Sequence, residues 1–305
     1  MKNVPFSMKT KSLPLSLLIA TLLSVSASAQ STPPPQSADS KNTSGDTEYV
    51  TGKNLLHGRG CEKNPALALE HFKKAADLGI VEAPAAIGYF YAAGLVVEKN
   101  DAIAAEWFQK GSEKGSGIAK FNLGRFRLDG KGGITSDEEG VALMEEAAKL
   151  GVPEAHTILA DIYFLGEHVQ NRDYSKAAPH VKAVAATGNI NGINMLGVMM
   201  QQGLGMERDE KGAEECFRRA AMEGDSKGQS NLGQILNPTS ENPARRIEAT
   251  AWLIIAASQL DPLATRKISE LEQTMPRKEF HAARDKADEF QKKISETRNK
   301  IPNSP

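Results

Sequence analysis

The chain is poor in cysteine, in aromatic side chains, in net charge and in long apolar runs, and each shortage excludes something. Only two cysteines, Cys61 and Cys216, occur in 305 residues, too few for the disulfide framework that staples small secreted domains. Aromatic residues make up 6% of the chain and the formal net charge is −1. With the charges mixed throughout, there is no basic stripe to meet phosphates, so nucleic acid is not an expected partner. One apolar run stands out, residues 13–25, and it is shorter than the roughly 20 residues a spanning helix needs. No glycine loop ending in Gly-Lys-Ser/Thr occurs, and no Ser-x-x-Lys, so neither a phosphate cradle nor a penicillin-reactive serine is expected.

That apolar run belongs to the start of the chain. Lys2, Lys9 and Lys11 precede it, and Ala27-Ser28-Ala29 follows with small side chains. The three-part layout predicts a secretory signal peptide over 1–29, cleaved near Ala29, and therefore an exported protein, periplasmic or secreted, without a membrane span in its mature form. Residues 30–45 carry prolines and serines and no large apolar group, which predicts a disordered leader.

From Asp46 to Leu260 one pattern of about 36 residues recurs six times. Its second copy reads Ala83, Ile87-Gly88, Tyr91, Gly94, Asn100, Ala104, Trp107-Phe108 and Gly115. The first half of each copy places small and apolar residues at i, i+4, i+5 and i+8, one face of a helix. It is expected to stop at Gly58, Gly94, Gly130, Gly166 and Gly203, since glycine accepts the left-handed backbone that closes a helix end. The second helix is expected to start on Asn64, Asn100, Ser136, Asp173 and Asp209, all of them N-cap types. Ser136 with Glu139 reads as a capping box. In the sixth copy Arg245 takes the cap position, and Asn242-Pro243 offers a start one turn earlier. The second helices are expected to bury Phe72, Trp107-Phe108, Leu143, Val181, Phe217 and Trp252, and to end at Gly79, Gly115, Gly151, Gly188 and Gly224. The small residue after each Leu or Ile is expected to let the neighbouring helix come close. A period of this length predicts an all-α, right-handed α/α solenoid of about six helix-turn-helix units. Residues 261–297 carry Phe280, Ala283, Ala287, Phe290 and Ile294 on one seam, which predicts capping helices, with 298–305 as a disordered tail.

The order Ala-x-x-x-Leu-Gly-x-x-Tyr-x-x-Gly-x-Gly, then Asp or Asn, then Ala-x-x-Trp, then Ala-Ala and Gly, resembles the Sel1-like repeat, a branch of the tetratricopeptide-like helical repeats. Copies two to five match well. Arg127 stands at the Tyr place of copy three, and copy six lacks the glycine pair beyond its first helix. The resemblance implies a protein-interaction module, monomeric and not an enzyme, with an unidentified peptide or protein as partner. In such proteins the first helices line a concave groove. On that face Tyr89, Asn122, Arg125, His156, Asp161, Asn194, Gln201 and Asn231 are the candidate peptide contacts, because amides pair a peptide backbone and rings cover side chains. Asn before Leu-Gly is also part of the repeat pattern and has a bracing role as its alternative. A cell-wall (peptidoglycan) binding protein or envelope hydrolase is the competing reading, but relatives of that kind carry a cysteine pair in each repeat, and this chain has none.

No catalytic, cofactor or metal constellation is legible. Gly224-Asp225-Ser226-Lys227-Gly228 matches Gly-x-Ser-x-Gly but falls at a junction between two helices, whereas a nucleophile elbow follows a strand. The six histidines share no short helical spacing, so no zinc site is expected. Cys61 and Cys216 lie four copies apart. Packed helices sit about 8–10 Å from their neighbours and a disulfide needs Cα atoms within about 7 Å, so the two are expected not to pair. Cys216 falls where Trp107 stands in the second copy and is expected to be a small buried apolar residue.

Overall fold

A computed structural model describes residues 40–300. The expected signal segment, residues 30–39 of the leader and residues 301–305 of the tail lie outside the described residues. Everything regular among the described residues is helical. In chain order the α-helices are α1 (Ser40–His57), α2 (Pro65–Asp77), α3 (Ala83–Ala93), α4 (Asp101–Glu113), α5 (Gly117–Asp129), α6 (Asp137–Lys149), α7 (Pro153–Asp161), α8 (Tyr174–Ala186), α9 (Ile190–Gln202), α10 (Glu210–Met222), α11 (Ser226–Ile235), α12 (Pro243–Ser258), α13 (Pro262–Thr274) and α14 (Arg277–Lys300). This is an all-α helical repeat fold. Odd-numbered helices up to α11 are the first helices of the six copies and even-numbered ones up to α12 the second. The chain divides into two compact units, Met1–Leu159 and Ala160–Pro305.

α1 starts at Ser40, six residues before the expected start of the repeats and inside the segment read as a leader. The reason is packing at Gly45: a Cβ there would stand 2.8 Å from Ile80 Cγ1, so the bare backbone lies directly on the residue that follows α2. The absence of large apolar groups, which suggested disorder, is what allows this close fit.

Each second helix begins as its cap predicts. Asn64 Oδ1 accepts from Leu67 N–H at 3.0 Å, Asp173 Oδ1 from Lys176 N–H at 3.0 Å, and Asp209 Oδ1 from Gly212 N–H at 2.9 Å. The cap residue's own N–H is also used. It donates back to the carbonyl at the repeat's Tyr place: Asn64 to Leu55, Asn100 to Tyr91, Ser136 to Arg127, Asp173 to Tyr163 and Asp209 to Met200, all at 2.8–3.1 Å. One bond per copy thus ties the end of the first helix to the start of the second. Copy six keeps the link with other atoms. Asn242 caps α12, as expected, and Arg245 Nε donates to Leu236 O at 3.2 Å. Only half of the expected capping box at Ser136 forms. Its Oγ accepts from Glu139 N–H at 3.2 Å, but Glu139 turns its carboxylate to Arg127 Nε at 2.8 Å. A buried Arg at the Tyr place needs that charge more than the cap amide does.

The small residue after Leu or Ile does admit its neighbour. A Cβ on Gly88 would lie 2.6 Å from Phe108 Cε1, on Gly197 2.6 Å from Phe217 Cε1, and on Gly233 2.6 Å from Leu253 Cγ. Phe72, Phe108 and Phe217 are wholly buried. In the first unit Phe72 meets Phe90 and Phe108 meets Phe126 edge to face, at 6.0 and 5.2 Å between ring centres.

Both sets of helix stops take left-handed backbone. In copy six, which lacks glycine there, Asn237 and Leu260 adopt it instead, with φ of 60° and 65°. Leu260 is 36 residues after Gly224 and is 87% exposed, so its side chain gains no packing in return for the strain.

In the second unit α14 acts as the expected cap. It packs on α12 and α10, burying Phe280, Ala283, Ala287 and Ile294. Phe290 stacks on Trp252 at 4.4 Å, and Glu279 takes both Nε and Nη2 of Arg246, at 2.7 and 2.8 Å.

Two outcomes test this account. Gly88→Ala will lower stability by about 1–3 kcal/mol, because overpacking against a ring that cannot move outweighs alanine's helix propensity. Leu260→Gly will raise it by about 0.5–1 kcal/mol, the left-handed penalty less the entropy of glycine. Urea unfolding followed by circular dichroism reads both.

Candidate functional site

The candidate residues lie on the first helices, and each unit has its own set. In the first unit α3 is buried from Ala83 to Phe90 and α5 from residue 121 to 127. Tyr89 is 3% exposed and sits edge to face with Phe90 at 6.3 Å, inside the cluster around Phe72. The structure therefore places it in the core. Asn122 is buried, and its amide nitrogen donates to Ile118 O at 2.9 Å in its own helix. Arg125 is buried as well, its guanidinium 5.9 Å from the Phe121 ring centre. Burial lowers its pKa, with Asp129 one turn on opposing the shift. His156 is half-buried, and burial lowers its pKa too.

In the second unit Asp161, Gln201 and Asn231 are half-buried and Asn194 is buried. The carboxyl of Asp161 is pushed up to about 6, first by burial and then by the charge of Glu167. It stands at the entrance to a π turn, Ile162–Gly166, where its own helix changes pitch.

Asn194 has a structural task. Its Nδ2 donates to Asp225 Oδ2, and the same oxygen caps α11 by accepting from Gly228 N–H at 2.7 Å. The next copy repeats the arrangement. Ser230 Oγ donates to Asp261 Oδ1 at 3.0 Å, and that oxygen caps α13 by accepting from Ala264 N–H at 2.8 Å. Asn194 and Ser230 are 36 residues apart, and each reaches the carboxylate 31 residues on. Asn194 stands one position ahead of the asparagine that precedes Leu-Gly, so this brace belongs to a different place in the repeat; Asn122, at the place itself, bonds within its own helix. The periodicity held the signal for Ser230, Asp225 and Asp261, but their spacing crosses from one copy into the next, where a reading copy by copy does not look.

The candidate residues thus fall into two groups. Tyr89, Asn122 and Asn194 serve the core, their own helix or the neighbouring helix. Arg125 is buried on its first helix, and His156, Asp161, Gln201 and Asn231 are half-buried on theirs. Among the described residues no three His, Cys, Asp or Glu side chains come together as a metal cage, and no helix is long and apolar enough to cross a membrane. Ser226 opens α11 one residue after its cap, at a helix-helix junction. Cys61 is exposed, and Cys216 is half-buried rather than fully enclosed, its thiol pushed up chiefly by burial.

The family model described as Sel1 repeat matches residues 47–80, 81–116, 117–152, 153–178 and 190–225, five of the six copies and more than half of the chain. Sel1 repeats generally mediate protein-protein interaction on a non-catalytic scaffold. An uncharacterized protein of Neisseria meningitidis serogroup B, NMB1327, is 36% identical over 90 residues, which is 30% of this chain and 19% of that protein. The rat DAP3-binding cell death enhancer 1 is 28% identical over 115 residues, 37% of this chain and 22% of that one. The chain thus spans about a fifth of the length of these relatives. Among solved structures it is similar to c5321, a protective antigen of uropathogenic Escherichia coli with an SLR fold, at TM-score 0.65 and 24% identity, covering 83% of this chain and 54% of that one. It is also similar to a Sel1 repeat protein from Oxalobacter formigenes, at TM-score 0.53 and 23% identity, covering 72% and 88%.

Asp161 supplies a test by titration. Its folded-state pKa is raised from 3.8 to about 6, so the fold prefers it protonated and loses stability as pH rises through that window. Burial of His57 and His156 acts in the opposite direction over the same range, so the readout is a difference: relative to the unsubstituted chain, the melting temperature of Asp161→Asn will rise between pH 5 and pH 7.

Proposed function

The chain belongs to the Sel1 repeat family, and on that footing we propose that it is an exported, non-catalytic scaffold of the cell envelope that holds a peptide or protein on its first-helix face. The observation that carries the reading is a contrast within the repeat. Core, cap and stop positions keep one chemistry from copy to copy. The position just after the Leu-Gly pair does not: it reads Tyr89, Arg125, Asp161, Val198 and Gln234 at steps of 36, 36, 37 and 36. A phenol, a guanidinium, a carboxylate, an aliphatic group and an amide cannot all answer the same packing demand. Two of them work against stability, since burying a charge costs free energy that a small apolar residue would not. Tyr89 is taken up by the core and Arg125 is buried, but Asp161, Val198 and Gln234 of the second unit suit an extended partner that meets a different group at each step.

A binding role is also in keeping with the rat relative, which is named for binding DAP3. Export rests on the basic start, the apolar run and the small residues through Ala29. The burial of Asn122 and Arg125 makes them poor sites for probing binding, because substitution there disturbs packing as well. Gln201 is better placed.

A photo-crosslinking side chain at Gln201, on a first helix, and another at Glu215, exposed on a second helix, separate the outcomes in intact cells. The expected result is a discrete protein adduct from position 201 and none from 215, with the protein recovered from the envelope fraction. Adducts from 215 alone, or none from either, would overturn the binding face; recovery from the cytoplasm would overturn export.

A further inference from the structure

The bracing bonds of the second unit have an unfilled last step. Asn194 and Ser230 each donate to the capping carboxylate of the following first helix. Thirty-six residues after Ser230 the same position holds Arg266, on α13. The residue 31 beyond it is Thr297, whose hydroxyl is spent on Lys293 O at 3.0 Å. No carboxylate of the described residues pairs with Arg266, which is exposed, whereas Arg218, Arg245 and Arg246 of the same unit are all in ion pairs. This position thus carries a stronger donor than its two predecessors and, among the described residues, no carboxylate to donate to.

Arg266 lines a cavity of about 330 Å³ with Gln234, Pro238, Leu263, Lys267 and Glu270. Lys267 is neutralised by Glu270 at 3.0 Å, which leaves Arg266 as the uncompensated charge. Leu263, one turn before it on α13, is 47% exposed and with Pro238 supplies an apolar wall. The amide nitrogen of Gln234 donates to Ser230 O at 3.2 Å, which leaves its amide oxygen to accept. An acceptor on α11, a cation on α13 and apolar groups at Pro238 and Leu263 around one cavity match the three groups that diverge from the last Cα of a polypeptide.

We propose that this cavity binds the free C-terminal carboxylate of a partner chain ending in an apolar residue, with the carboxylate on Arg266, the terminal side chain on Leu263 and Pro238, and the last peptide N–H on Gln234. The site rests on the scaffold reading above and names one part of the partner. Guanidinium-carboxylate pairing is the stronger, geometrically selective form of such contacts, and a volume of this size suits a single residue.

The test uses three small probes on the full chain, followed by NMR titration of the Arg266 side-chain Nε–H signal, assigned through its loss in Arg266→Gln. N-acetyl-leucine carries the terminal carboxylate and apolar group, N-acetyl-leucinamide lacks the charge, and N-acetyl-glutamic α-amide offers only a side-chain carboxylate. Saturable shifts are expected with N-acetyl-leucine, weaker by at least about tenfold in affinity with the amide, as loss of a charged hydrogen bond implies, and weaker with the glutamic probe. Backbone amide shifts of Gln234 and Leu263 report the same binding, and in Arg266→Gln they should lose it while circular dichroism stays unchanged. Equal shifts with acid and amide, tighter binding of the glutamic probe, or no shift at all would overturn the proposal. None of those results bears on crosslinking from Gln201, so this site can fail while the scaffold stands.

Discussion

The close approach of a side-chain-free point on the first helix to a large apolar side chain on the second is the contact on which the rest of the structure depends. At Gly88, Gly197 and Gly233 the space a methyl group would need is already occupied by Phe108, Phe217 or Leu253. Glycine inside a helix costs about 1 kcal/mol against alanine, so its recurrence has to be offset, and the burial of Phe108, Phe217 and Leu253 beside these three glycines offsets it. Once that contact sets the separation of the two helices, the cap amide falls within reach of the carbonyl at the Tyr place, and the same bond appears in five copies.

The sixth copy and the end of the chain show which parts of the pattern are geometry and which are residue identity. Arg245 reaches Leu236 O with its side chain where earlier copies use a backbone amide. Asn237 and Leu260 take the left-handed turns that glycine takes elsewhere. In both cases the backbone course is kept while the residue that secures it changes. α14 then covers the side of α12 and α10 on which no further copy packs, through the Trp252-Phe290 stack and the Arg246-Glu279 pair.

The proposed function draws on groups that the fold does not need. Arg125 is desolvated and Asp161 is held toward its protonated form, and neither condition helps the fold. Arg266 stands where a bracing donor would stand if another copy followed.

Helix boundaries, caps, stops and the shared core were legible in the residues because they are local: a cap bonds an amide three residues on, and a glycine stop acts on its own backbone. Gly45 was misread because a small residue without apolar neighbours in sequence can still be buried by a helix that arrives later, here through Ile80. The candidate face was legible only as a set of positions. Whether Tyr89 looks outward or into the Phe72 cluster, and whether Asn194 meets a ligand or Asp225, depends on the register between copies. A 36-residue period cannot state that register, because it describes each copy alone. The family, the helices and their ends were therefore determined by the sequence itself. The burial of the candidate residues, the links that cross from one copy to the next and the open donor at Arg266 were decided only when the helices packed, since each depends on which side chains neighbouring helices bring together; the links span 31 residues.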